Sequence, residues 1–191
     1  MRWVLTATLS LTLGLTAFAE KEKSDKKDGA PESSTAVSDL YPNDMGPAEV
    51  DVSGYPKPIR EGYKLMAFKC AACHTAARPI NSQFLELSAE EEAAFKKENP
   101  DIHKDTRLVH IEDKIWNRYV KRMMAKPGCP VKGDDGKKIW EFLVYDSKAR
   151  KTGANAKSWA AHRRKLLHEF AEHHPEAYKK LFGSAPAPKE N

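Results

Sequence analysis

The apolar residues of this 191-residue chain recur at helical spacing over most of its length. Ile59, Tyr63 and Met66 lie on one predicted helix face that leads toward Cys70, and a broader apolar face runs from Ile111 to Met123. Side chains spaced three or four residues apart share one side of an α-helix. Further helices are predicted by the same criterion around 139–144, 157–173 and 177–182, and a capping box predicts one around 89–98. No stretch alternates convincingly as a strand, so the pattern predicts an all-α fold.

The ends of these helices are marked by familiar stop and start residues. Ser88 and Glu91 form a capping box before the 89–98 helix. Pro79 interrupts any helix that continues past residue 74. A polar break at 151–155 separates the last two predicted helices from the rest of the chain. We therefore treat 151–183 as a C-terminal helical extension.

The first 19 residues have the pattern of an export signal. A short basic start is followed by an uncharged apolar run at 4–15 and by Ala17-Phe18-Ala19, a typical cleavage site. A membrane span needs about 20 predominantly apolar residues, so a cleaved signal peptide at 1–19 is favoured over a retained anchor. The pattern predicts an exported protein, periplasmic in a bacterium, with no stable membrane span after cleavage.

The segment 20–54 is rich in Lys, Asp, Glu, Ser and Pro and predicts a disordered charged linker. Residues 184–191 are similarly polar and predict a flexible tail. The formal charge of the chain is +5, and acids and bases are interspersed. This mixture gives no reason to expect nucleic acid as a partner. A mildly positive field would instead steer an acidic redox partner.

The chemistry of the chain centres on Cys70-Ala71-Ala72-Cys73-His74. C-x-x-C-H is the attachment signature of c-type haem. Thiols three positions apart can both reach the two vinyl groups at one porphyrin edge, and the adjacent imidazole serves as the proximal iron ligand. Short Cys motifs also bind zinc, and Cys129 would complete a four-ligand set. Three of those ligands would come from one turn, which fits a tetrahedron poorly.

A haem iron also needs a distal ligand or an open site. Met123 lies on the apolar face of the 111–125 helix, whereas Met124 points about 100° away, toward the solvent side. Either methionine could simply fill the core. His103 and His110 are rival ligands. The remaining histidines lie among basic residues on the 151–183 extension and are candidates for a second metal site: His162, His168, His173 and His174.

Two stretches resemble the two halves of a known domain. Gly62–His74 looks like the opening of a class I-type cytochrome c domain. Trp116-x-x-x-Val120-x-Arg122-Met123, followed by Pro127-Gly128 and by Lys138-Ile139-x-x-Phe142-Leu143, is similar to the closing half of monohaem cytochrome c domains. The resemblance covers residues from about 59 to 148. The segment between His74 and Trp116 is longer than a minimal domain needs.

The resemblance implies a small helical domain at 55–150 around one covalent haem c. It implies thioether links at Cys70 and Cys73, His74 as proximal ligand and Met123 as distal ligand, with Met124 as second choice. The implied function is electron transfer between redox partner proteins, with no catalytic residue.

Several alternatives stay open. The protein could be a haem enzyme or gas sensor with an open distal site, or a haem subunit of a larger redox complex. The extension at 151–183 could dock such a complex or pack on the haem domain. Arg78 and Arg107 are candidates to neutralise the haem propionates, and Trp116 could pack beside the haem. Cys129 is left as a free or dimer-forming thiol.

Overall fold

Seven α-helices and a very short parallel β-ladder make up residues 40–189, the part of the chain that the computed structural model describes. The helices are α1 Lys57–Cys70, α2 Ala77–Ile80, α3 Ala89–Glu98, α4 Ile115–Met124, α5 Gly133–Lys151, α6 Ala156–His173 and α7 Pro175–Phe182. The strands are β1 Phe84–Leu85 and β2 His110–Ile111. The all-α class is confirmed. Strands of two residues are too short to show alternation in the sequence.

The predicted capping box operates as expected, but the Pro79 signal does not: α1 already ends at Cys70, and Pro79 lies inside the short helix α2. The Glu91 backbone N–H donates to the Ser88 hydroxyl at 3.2 Å, and the Ser88 N–H donates to the Glu91 carboxylate at 2.7 Å, so the capping box begins α3. Helix α4 begins at Ile115 instead of Ile111, because Ile111 pairs in β2 and Lys114 adopts a left-handed conformation with φ of 56°.

One hydrophobic core lies between α1, α4 and α5. Met66, Trp116 and Phe142 are fully buried there. Helices α1 and α5 approach closely at Gly62, where any side chain would overlap the Lys138 carbonyl oxygen and come within 2.9 Å of the Phe142 Cβ. This close approach fixes the first half of α1 against α5, and Cys70 lies two turns further along the same helix.

A second hydrophobic core joins the C-terminal helices to the middle of the chain. Leu167 and Phe170 of α6 are fully buried, and they belong to the same cluster as Leu85, Phe95 and Val109. Residues 40–189 form part of one compact unit. The predicted division between a domain at 55–150 and an extension at 151–183 is therefore not a structural boundary.

The segment before α1 also differs from its prediction. Residues 1–39, which include the predicted signal peptide and most of the predicted linker, lie outside the described residues, as do 190 and 191. From residue 40 onward the chain is packed. Pro42–Met45 forms a 3₁₀ turn in which Pro42 is buried, the Asn43 amide donates to Ser82 at 3.0 Å, and Asp44 pairs with Arg78 at 2.6 Å. The predicted disorder of 20–54 is wrong for 40–54, because these polar side chains have long-range partners.

The beginning of the predicted tail is likewise in contact with the fold. The Pro186 carbonyl accepts a hydrogen bond from Arg107 at 2.9 Å, and Ala187 packs against the second core. Across residues 40–189, no helix has the length and apolar character that a membrane crossing requires.

Candidate functional site

The C-x-x-C-H motif lies at the C-terminal end of α1. Cys70 is the last residue of the helix, and a turn follows in which the Cys73 N–H donates to the Cys70 carbonyl at 3.4 Å. Cys70 is half-buried, Cys73 is exposed, and both are free thiols, as is Cys129. Both sulfur atoms are thus unpaired and one turn apart.

The His74 ring is oriented by the backbone. Its Nδ1 lies 2.9 Å from the Thr75 carbonyl oxygen. Because a carbonyl only accepts hydrogen bonds, this contact places the proton on Nδ1 and leaves the Nε2 lone pair for a metal. Burial lowers the pKa of His74 below its usual value, against a smaller opposing effect of the Thr75 carbonyl. The neutral imidazole is the form that coordinates a metal.

His74 and Met123 line the same cavity. Its volume is about 570 Å³, within the range of roughly 300–1,000 Å³ found for small-molecule and cofactor sites. Met123 reaches the cavity from the last turn of α4, and Tyr119 of the preceding turn lines it as well. The cavity therefore brings together a proposed proximal and a proposed distal ligand that are far apart in sequence.

The two candidate methionines have different surroundings. Both line a small apolar cavity of about 30 Å³ that also involves Cys70 and His74, but Met123 alone of the two also lines the large one. Met124 packs into the first core, where its sulfur occupies the space beside Gly136 of α5. The expectation that Met124 points to the solvent side holds in part: the side chain is half-buried and lines a third cavity of about 230 Å³ beside Lys121, while α5 also packs against it.

Basic side chains line the large cavity, and no Asp or Glu does so. The basic lining residues are Arg78, Arg107, Arg122, Lys126 and Arg163. Arg78 pairs with Asp44 at 2.6 Å and Arg107 with Asp105 at 2.8 Å, so both predicted propionate partners already have a carboxylate partner. Sequence reasoning missed Arg163 because its neighbours in the sequence are polar and indicate a solvated helix face.

The rival histidine ligands lie elsewhere. His103 contacts the Asn99 carbonyl at 3.2 Å, and His110 lies 3.6 Å from the Glu112 carboxylate. Neither is among the residues that line the two cavities described above. The geometry gives no support to either as a distal group.

The other proposed metal sites are not assembled in the described part of the chain. Over residues 40–189, no group of three or more His, Cys, Asp or Glu side chains is arranged to hold a metal ion. His162 instead lies 3.0 Å from the Asn81 side-chain oxygen, and burial, with help from Arg163, lowers its pKa to about 4. His168 lies 3.2 Å from Glu172.

Trp116 has a structural role. It is fully buried, and its indole N–H donates to the Ser147 hydroxyl at 3.1 Å. It is absent from the lining of both cavities, so of the two expected roles, core packing is the one that its contacts support.

No family model, curated protein or solved structure matches this chain. The assignment of the site therefore depends on the residues and their arrangement.

The residues of the large cavity fit a haem. An imidazole with a free Nε2 and a thioether are the axial ligand pair of c-type cytochromes, and both line this cavity. Two free thiols lie directly before the imidazole in sequence. Of the five basic lining side chains, Arg78 and Arg107 already pair with carboxylates, and the other three suit the two carboxylates of a haem.

Proposed function

We propose that this protein is an exported electron-transfer protein with one covalently attached haem c. His74 and Met123 are its axial ligands, and Cys70 and Cys73 carry the thioether links. The observation that carries this proposal is that His74 and Met123 line one cavity. The free thiols Cys70, at the end of α1, and Cys73, in the turn that follows, come just before His74 in the sequence.

The chain's own residues explain why electron transfer is favoured over catalysis. When bound, haem supplies an iron that alternates between ferrous and ferric forms. His74 is held by Thr75 with Nε2 available, and Met123 of α4 offers a soft thioether in the same cavity. If both residues held the iron, no coordination position would be left for a substrate. A thioether ligand also raises the reduction potential above that of a bis-histidine site.

The lining of the cavity also supports a class of partner. Arg122 and Lys126 are exposed, and both line the cavity. Exposed basic groups attract an acidic protein surface and accelerate its encounter. We infer that the donor or acceptor presents carboxylates to this face. This fits both a free carrier and a haem subunit of a larger complex.

Covalent attachment is the first test. The full chain should be produced in a bacterial periplasm together with a c-type haem maturation system. We expect haem that stays with the denatured polypeptide and a c-type α-band in the reduced-minus-oxidised spectrum. The double variant Cys70→Ser/Cys73→Ser should lose the covalent haem, whereas the control Cys129→Ser should keep it. A wild-type protein without covalent haem would contradict the proposal.

The distal ligand is tested by a matched pair of variants. Met123→Ala should abolish the far-red charge-transfer band of the ferric His/Met haem and let the reduced protein bind carbon monoxide. Met124→Ala should keep the band and lose about 2 kcal/mol of stability, because it removes a core side chain. The opposite result would assign the ligand to Met124. Carbon monoxide binding by the wild type would favour a haem enzyme or gas sensor.

A further inference from the structure

Arg163 of α6 is a buried cation without a carboxylate partner among residues 40–189. Only 2% of it is exposed. Its Nη1 donates to the Asn43 side-chain oxygen and to the Asn81 carbonyl, both at 2.8 Å, and its Nη2 donates to the Arg107 carbonyl at 3.2 Å. All three acceptors are neutral. Burying a charge without an opposite charge is costly, so the fold leaves this guanidinium to be neutralised by something else.

The surroundings of Arg163 do not supply that opposite charge. Lys151, also fully buried, is another basic group, and Arg163 contributes to lowering its pKa. Asp146 is buried, but it accepts hydrogen bonds from Arg150 and from the Tyr55 hydroxyl. Burial alone lowers the pKa of Arg163 to about 10, so it remains protonated at neutral pH.

Arg163 also has hydrogen-bonding capacity left, and it lines the large cavity. Its Nε is buried and has no partner among the described residues. Gln83 also lines the cavity, and its side-chain oxygen is likewise buried without a partner among the described residues. Because oxygen and nitrogen of an amide exchange places by rotation, Gln83 could equally present a donor. Both unpartnered groups belong to residues that line the same cavity, and an anion bound there would supply the acceptor that the Arg163 Nε–H lacks.

We propose that Arg163 binds a carboxylate of the molecule that occupies this cavity. Within the proposed function, on which this inference rests, that carboxylate is a haem propionate. A planar guanidinium binds a carboxylate with particularly strong, charge-assisted hydrogen bonds. Helix α6 would then contribute directly to the haem site, although it lies outside the segment that resembles a cytochrome c domain.

The test follows the haem carboxylates themselves. Haem-loaded protein labelled with ¹³C at the haem carboxyl carbons should be compared by infrared spectroscopy over a range of pH. In the wild type, one labelled carboxyl should stay ionised into the acidic range. In Arg163→Met, the same group should take up its proton at a higher pH, because the neighbouring positive charge is gone and the site is buried.

Two further variants separate this role from a structural one. Lys165→Met removes a positive charge from the same helix at an exposed position that pairs with Glu169 and does not line the cavity. It should titrate as the wild type does. Arg163→Lys keeps the positive charge, so the labelled carboxyl should take up its proton at nearly as low a pH as in the wild type. Its carboxylate band should still shift, because the paired N–H donors of the guanidinium are lost. If Arg163→Met does not fold, an unchanged labelled band in Arg163→Lys overturns the proposal.

A free anion is the other source of the same chemistry. If Arg163 binds phosphate or acetate from solution, either anion should raise the Tm of the wild type and not that of Arg163→Met. The labelled haem carboxyls would then titrate alike in all variants, and the propionate assignment would be overturned. A wild type that attaches no haem would refute the proposed function before any variant is compared. Haem attachment with equal titration in Arg163→Met and Lys165→Met would refute this inference alone.

Discussion

At the scale of single residues, Lys151 has the least expected environment. It is fully buried at the end of α5, where its Nζ donates to the Ser82 carbonyl at 2.8 Å and to the Ser147 hydroxyl at 3.0 Å. The rings of Trp116 and Trp159 lie 5.5 and 4.8 Å from the same nitrogen. Burial, reinforced by Arg150 and Arg163 and opposed by Asp146, lowers its pKa to about 7.

This shift predicts a pH dependence of folding stability. The unfolded chain keeps the Lys151 proton up to a pH of about 10.4, whereas the folded protein loses it above about 7. Between these values the unfolded state binds more protons, so the free energy of unfolding should rise with pH. Lys151→Met should remove that part of the rise, as measured by urea unfolding near neutral pH and at mildly alkaline pH.

The comparison concerns the slope with pH and not the stability at one pH, because Lys151→Met also leaves the Ser82 carbonyl without its donor. Lys137→Met is the control, since Lys137 is exposed on the same helix and pairs only weakly with Glu141. It should keep the wild-type slope. Equal slopes for Lys151→Met and the wild type would show that the buried amine does not titrate in this range.

At the scale of elements, the close crossing of α1 and α5 predicts opposite behaviour for two glycines. Gly62→Ala would overlap the Lys138 carbonyl, a backbone atom that cannot move without separating the helices. Although alanine favours helix by about 1 kcal/mol, we expect a net loss of about 1–3 kcal/mol from overpacking.

Gly136→Ala is the matched control. Its new Cβ would overlap only the sulfur end of Met124, a flexible side chain that can change rotamer. We expect a change close to zero in denaturant unfolding. Equal losses at Gly62 and Gly136 would mean that helix separation is not the cause.

Helical periodicity predicted α1 and α4 to α7 because each packs an apolar face, whereas α3 was predicted from its capping box and the four-residue α2 was not predicted. The start of α4 could not be predicted, since Ile111 fits the helical pattern. It lies outside the helix because it pairs in β2 with β1. The candidate site could be proposed from the sequence where the chemistry is local, at Cys70, Cys73 and His74, and it stays a prediction. Arg163 was not, because its burial depends on acceptors at Asn43 and Asn81, which are distant in sequence.

At the scale of the whole molecule, two cores share one fold. Helix α5 packs in the first core and leads directly into α6 of the second. The segment around Asn43 connects them, because it contacts Ser82 after α2 and Arg163 in α6. A chain truncated at Ala149 would leave Leu85 and Phe95 without their C-terminal partners. We therefore expect it to lose cooperative folding, instead of keeping an intact haem spectrum as a removable docking element would allow.

A single substitution tests the same coupling without removing chain. Phe170 of α6 is fully buried in the second core and is absent from the lining of the large cavity. Phe170→Ala should cost about 3–5 kcal/mol, and this loss should appear at the same midpoint when unfolding is followed by far-ultraviolet circular dichroism and by haem absorbance. Lys180→Ala is the control, since Lys180 is exposed on α7 and does not line the cavity, and it should change both midpoints little. If Phe170→Ala lowered the circular-dichroism midpoint and left the haem midpoint in place, α6 and α7 would be an independent module. Coincident midpoints would mean that the proposed haem site depends on the C-terminal helices for its stability, as we expect if the compact unit unfolds cooperatively.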